Sequence, residues 1–165
     1  MTVRVRDKGA KRLLSQMRRL KKDLQVGVIG SKAAKPHGAK AAKRPKGEEP
    51  ESETAPAPTI TTADIALWHE LGLGVPQRSW LRAWFDGNTR KLIRKAQESF
   101  KKKGVNAKGL NLLGLWIVGE IQQRIADGIR PSNAESTIAR KGSSKPLIDT
   151  GQFRTSITHR LVDRE

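Results

Sequence analysis

The chain has no cysteine. Disulfides, thiolate zinc sites and cysteine nucleophiles are thereby excluded, and the composition suits a reducing compartment. Aromatic residues make up only 4% of the chain against 36% hydrophobic residues overall, so the folded part has to concentrate its apolar residues in a small core. Histidine occurs three times, at His37, His69 and His159, which leaves little material for an imidazole-rich metal site. No uncharged apolar run reaches the about 18 residues a membrane span needs. Nor does an apolar stretch follow the basic start Met1–Arg6 as in a secretory signal. The expectation is a soluble, unsecreted protein with no membrane contact. Acidic residues are the other shortage: there are 16 Asp and Glu against 33 Lys and Arg, a formal charge of +17. That excess bears on solubility and on acidic neighbours, not on fold.

At 165 residues the chain suits one domain, 1–165, with one modest core, since domains cluster at about 100–150 residues. Thr2–Arg6 alternates as a short strand. Leu13, Leu14, Met17, Leu20 and Leu24 then recur at helical spacing among Lys and Arg, which predicts a helix over Lys8–Lys22. Leu24–Gly30 alternates before a glycine and reads as a strand with Leu24, Val26 and Val28 on one side. Residues 31–58 turn abruptly to Ala, Lys, Pro, Gly and Glu, a basic half followed by Glu48, Glu49, Glu51 and Glu53. With no large apolar residue to offset its ordering entropy, this stretch reads as a flexible insertion: either an arm reaching over an assembly interface or a tolerated surface loop.

Beyond it, Thr61 with Asp64 three positions on is a capping-box start, and Ile65, Leu67, Trp68 and Leu71 predict a helix that ends at Gly72 and Gly74. Pro76 opens the next element. Trp80, Leu81, Trp84 and Phe85 predict a helix broken or kinked at Asp86-Gly87-Asn88, resumed by Leu92, Ile93, Ala96 and Phe100 and finished by Lys101-Lys102-Lys103-Gly104. The strongest period follows, with Leu110, Leu113, Ile117, Ile121 and Ile125 on one face, widened by Leu112, Trp116 and Ile129. That helix is the expected spine of the core. Pro131-Ser132-Asn133 ends it, Ala134–Arg140 suits a single helical turn, and Leu147 and Ile148 dock the chain. Asp149-Thr150-Gly151 turns it, and Ser156–Val162 alternates as a closing strand. The fold class these elements predict is α+β. A small antiparallel sheet built from both ends of the chain packs against two long helices plus short ones, with a long flexible insertion.

Signatures of chemistry fail on inspection. His69-Glu70 begins like the helical HExxH zinc motif, but position 73 is Leu and the second ligand is missing. Gly72-Leu73-Gly74 lacks the preceding strand of a dinucleotide fingerprint and reads as a turn. Asp149-Thr150-Gly151 matches the catalytic triplet of aspartic proteases, which need two facing carboxylates; the apolar flap and paired strands of such an enzyme are absent from the sequence. A turn in which Asp149 bonds backbone N–H groups two residues on is the better reading. No catalytic residue, metal or cofactor is expected, and the chain does not read as an enzyme. Basic clusters at Lys8–Lys22, Arg90–Lys95 and Lys101–Lys103 can neutralise phosphates with salt-sensitive affinity. They keep a basic nucleic-acid-binding accessory protein open as the alternative, without any helix-turn-helix, zinc-finger or RNA-recognition signature.

Two separated segments carry the most information. Ile65-Ala66-Leu67-Trp68-His69-Glu70-Leu71-Gly72 with Val75-Pro76-Gln77-Arg78-Ser79-Trp80-Leu81-Arg82 forms the first, and Lys145-Pro146-Leu147-Ile148-Asp149-Thr150-Gly151-Gln152-Phe153 through Ile157 the second. Together they resemble two signature segments of tailed-bacteriophage neck and tail-completion proteins of the virion-morphogenesis, head–tail joining type. The likeness spans Ile60–Val162, the early basic helix and Val26-Gly27-Val28. Where the family pattern has Pro and then Phe after the arginine, this chain has Ser79 and Trp80, keeping the arginine and an aromatic and losing one proline. The resemblance implies a structural virion protein that forms a homo-oligomeric ring, six-fold in preference to twelve-fold, at the head–tail junction. Such a ring closes the tail or joins it to the head connector and is assembled in the host cytoplasm. It further implies tail-tube and connector proteins as partners, with genomic DNA as a non-specific contact in the lumen. Interface residues on this reading are Trp68, His69, Glu70, Arg78, Trp80, Leu81, Arg82, Leu147, Ile148, Asp149, Thr150, Gly151 and Phe153.

Overall fold

The computed structural model describes residues 8–36, 60–142, 144–148 and 151–164. In chain order these form helix α1 (Lys8–Met17), strand β1 (Lys22–Val28), helices α2 (Thr62–Leu71), α3 (Arg82–Lys103), α4 (Ala107–Asp127), α5 (Glu135–Lys141) and α6 (Gln152–Ser156), and strand β2 (Ile157–Asp163). The fold class is α+β, as the sequence patterns predict. β1 and β2 pair antiparallel, Lys22 opposite Asp163 and Val28 opposite Ile157, so early and late segments close a single ribbon. An isolated two-stranded ribbon is marginal in water; both strands here lie on α4. The Thr2–Arg6 alternation, residues 37–59, Asp149 and Thr150 lie outside the described residues.

α4 is the spine. Leu110, Leu113, Ile117, Ile121 and Ile125 are all buried, the last two completely, and each such side chain contributes about 1.5–3 kcal/mol by leaving water. Its start is fixed by Asn106, whose side-chain oxygen accepts from the N–H groups of Lys108 and Gly109. α3 and α4 form a hairpin across the short turn 104–106. Gly109 fits only because it has no side chain: a Cβ there would lie 2.2 Å from the Gly104 carbonyl oxygen. α3 is kinked at Asn88 (φ −116°, ψ 15°). The Asn88 side-chain amide donates to the Trp84 carbonyl at 2.8 Å, one turn back at the kink.

The structure differs from the sequence expectation at three boundaries. α1 stops at Met17, short of Lys22, because Lys22–Val28 is recruited by β2 and Leu20 turns to pack on the core. Gln152–Ser156 forms a short helix where the sequence shows only a turn running into a strand. The first residues of the polar insertion are also anchored. The Lys35 carbonyl accepts from Thr62 N–H at 2.9 Å and from its hydroxyl at 3.0 Å, and the Ala33 carbonyl accepts from Ala63 N–H at 3.0 Å. These bonds stitch the chain beside the capping box of α2, in which Thr61 and Asp64 cap each other's backbone.

Candidate functional site

The two signature segments, far apart in sequence, fold against each other. The Trp80 and Phe153 rings meet edge to face with centroids 5.3 Å apart at 88°, a geometry the ring quadrupoles favour. Both are interior, as is Leu147, whose backbone sits at φ +60°. A leucine holds that left-handed conformation only where packing outweighs its cost. The Trp80 indole N–H donates to the Ala66 carbonyl at 3.1 Å, which ties α3's entry to the middle of α2.

Glu70, at the end of α2, caps the start of α3. One carboxylate oxygen accepts from the N–H groups of Trp80 and Leu81 at 3.0 Å each, and the other from the Ser79 hydroxyl at 2.7 Å and Arg82 N–H at 3.0 Å. A negative charge is favoured at this end of a helix, where backbone donors are unpaired. Leu81 itself supplies no cap.

Arg78 is only 5% exposed, and carbonyls rather than a carboxylate surround its guanidinium. Nε donates to the Pro131 carbonyl at 2.7 Å, one terminal nitrogen to Ser132 at 3.1 Å, and the other faces His69 Nδ1 at 3.3 Å. Arginine can only donate, so Nδ1 is the acceptor and the His69 ring carries its proton on Nε2. Burial pulls the Arg78 pKa below its ordinary value. The fork thus clamps the 69–78 corner to the loop that follows α4.

Of the remaining interface candidates, Trp68 is half-buried, and its carbonyl closes α2 by accepting from Gly72 and Leu73. Leu81 and Ile148 are half-buried against the core. Gly151 takes φ +78° and starts α6, while Asp149 and Thr150 lie outside the described residues. Among the described candidates Arg82 is well exposed, 3.8 Å from Asp86. Trp80, Leu147 and Phe153 thus join the two segments in the interior, while Leu71, Gln77 and Arg82 of the first segment face solvent.

The outward side of α2 is apolar. Thr62 and Ala66 bury one side of α2, and Leu67 and Leu71 lie on the opposite side, 51% and 54% exposed, followed by Leu73 at 50%. Helical spacing marks Ile65, Leu67, Trp68 and Leu71 alike as apolar; the outward turn of two of them shows only once the buried side is known. Elsewhere, Arg90, Arg94, Lys101, Lys102, Lys103 and Lys108 are exposed on α3 and the start of α4. Lys91 and Lys95 reach over the Trp116 ring at 5.6 and 5.9 Å while pairing with Glu120 and Glu98. Among the described residues no group of three His, Asp or Glu stands where it could hold a metal, and no helix is long and apolar enough to cross a membrane. No family model matches the chain, and no curated protein or solved structure is significantly similar to it.

Proposed function

We propose that the chain is a structural virion protein of the tailed-bacteriophage neck or tail-completion type, a subunit of a ring at the head–tail junction. The observation that carries this reading is the interlocking of the two signature segments around Trp80 and Phe153. Trp80 and Phe153 converge in space, and beside them α2 and the turn after it hold Leu67, Leu71 and Leu73 in solvent. Exposed apolar side chains grouped on one element mark a contact surface. Closed rings need two different adhesive surfaces per subunit, and a charge of +17 suits contact with acidic tube or connector proteins.

Purified chain is expected to form a ring of defined mass without DNA, visible by electron microscopy, and to be present in mass spectra of phage particles. A monomer absent from particles ends the proposal. The second reading, a nucleic-acid-binding accessory protein, draws on the exposed cations of α3. It requires a DNA mobility shift that fades steeply as salt rises, with no DNA-independent assembly.

A further inference from the structure

α2 is the one described helix without a lysine or arginine. From Ile60 to Gln77 the sequence has none, while it holds Asp64 and Glu70. In a chain of charge +17, two copies repel wherever cations face cations, so this apolar, cation-free edge is the surface through which like copies approach most easily. A complementary surface exists. Between α3 and α4 lies a groove of about 330 Å³ lined by Leu112, Leu115 and Trp116 together with Lys95, Lys102 and Glu98. Leu115 is the most exposed large apolar residue among those described, at 63%. Ser99 also lines the groove, 1% exposed, and its hydroxyl has no hydrogen-bond partner among the described residues.

The two surfaces cannot meet within one molecule. α2 is pinned to the first residues of α3 through Glu70 and Trp80. Ser99 lies 17 residues beyond Arg82 on the same helix, about 25 Å away at 1.5 Å per residue.

We infer that α2 of one copy and the turn after it dock, through Leu67, Leu71 and Leu73, in the α3–α4 groove of the next. This deepens the assembly role proposed above and rests on it. The contact is head-to-tail: each copy presents its α2 edge to one neighbour and its groove to the other, the arrangement that closes rings. The groove carries Lys95 and Lys102 against Glu98 alone and is net positive, whereas α2 carries Asp64 and Glu70 without a lysine or arginine, so charge favours this pairing over α2 against α2 or groove against groove.

The test uses two variants of the full chain, Leu67→Asp with Leu71→Asp on the α2 side and Leu115→Asp on the groove side. All three positions are half exposed or more, so circular dichroism spectra matching wild type are expected. By sedimentation velocity, each variant alone should self-associate at least tenfold more weakly than wild type. An equimolar mixture should give dimers that grow no further, because each variant keeps one intact surface. Wild-type chain that stays monomeric, a Leu115→Asp variant that assembles normally, or a mixture that stays monomeric overturns the inference. Particle incorporation separates it from the neck assignment. Assembly lost in both variants but wild-type chain absent from virions keeps the interface and removes the assignment; both variants incorporated at wild-type level does the reverse.

Discussion

The His159 imidazole lies directly against the α-carbon of Gly114. A methyl group added there would come within 2.4 Å of His159 Cδ2 and 2.9 Å of Leu24 Cδ1. This is where the β1–β2 ribbon seats on α4, and the absence of a side chain lets strand and helix approach. Gly114→Ala gains about 1 kcal/mol of helix propensity but forces the ribbon off the helix, and overpacking costs about 1–3 kcal/mol or more. The expected outcome is a net loss of stability in urea unfolding, relieved when His159→Ala is added to the same chain.

His159 also sets a pH dependence. It is partly buried between the ribbon and α4, and burial holds its pKa below 6.5. The unfolded chain therefore takes up the proton first. Stability is full above about pH 6.5 and falls as pH drops from there through the folded-state pKa. The melting temperature of the wild type should decline between pH 7 and 5, and the decline should be shallower for His159→Gln.

Glu70→Gln tests the cap supplied to α3 from α2. The amide keeps one acceptor oxygen and turns its NH₂ toward backbone N–H groups that need acceptors. Hydrogen bonds to a charged group of this kind contribute about 1.5–3 kcal/mol each in favourable cases, but they are partly shared and part-exposed here, so a total loss of about 2 kcal/mol is expected in the unfolding free energy. Amide exchange at Trp80, Leu81 and Arg82 should quicken first.

Arg78→Lys keeps the charge and loses the fork. A single ammonium cannot span Pro131, Ser132 and His69 together, so a loss of about 2–3 kcal/mol is expected from the acceptors left unpaired. Arg82→Glu, at an exposed position, should leave stability within about 0.5 kcal/mol of wild type, and differential scanning calorimetry of the pair separates the two roles.

Much of this architecture is written locally in the sequence. The period Leu110–Ile125, the capping box at Thr61 and Asp64 and the kink near Gly87-Asn88 all depend on neighbours within a few residues, and all three are present. The end of α1 is not legible in this way. Leu20 and Leu24 keep the helical spacing, yet Lys22 pairs with Asp163, 141 positions away. α6, five residues long, is too short to register as a period. The candidate site divides similarly. That Trp80 and Phe153 belong to informative segments is legible in the sequence, whereas their depth in the interior and that of Arg78 are not, since nothing local distinguishes a buried arginine from a displayed one. The capping role of Glu70 leaves no trace at all in the sequence, because the helix it serves belongs to a different element.

The tether between α2 and α3 has a mechanical corollary. α2 is joined to α3 by the Glu70 carboxylate, the Trp80 indole and the Arg78 backbone bond to His69, with no slack linker between them. Any displacement of α2 is therefore passed directly to the first turn of α3, ahead of the kink at Asn88.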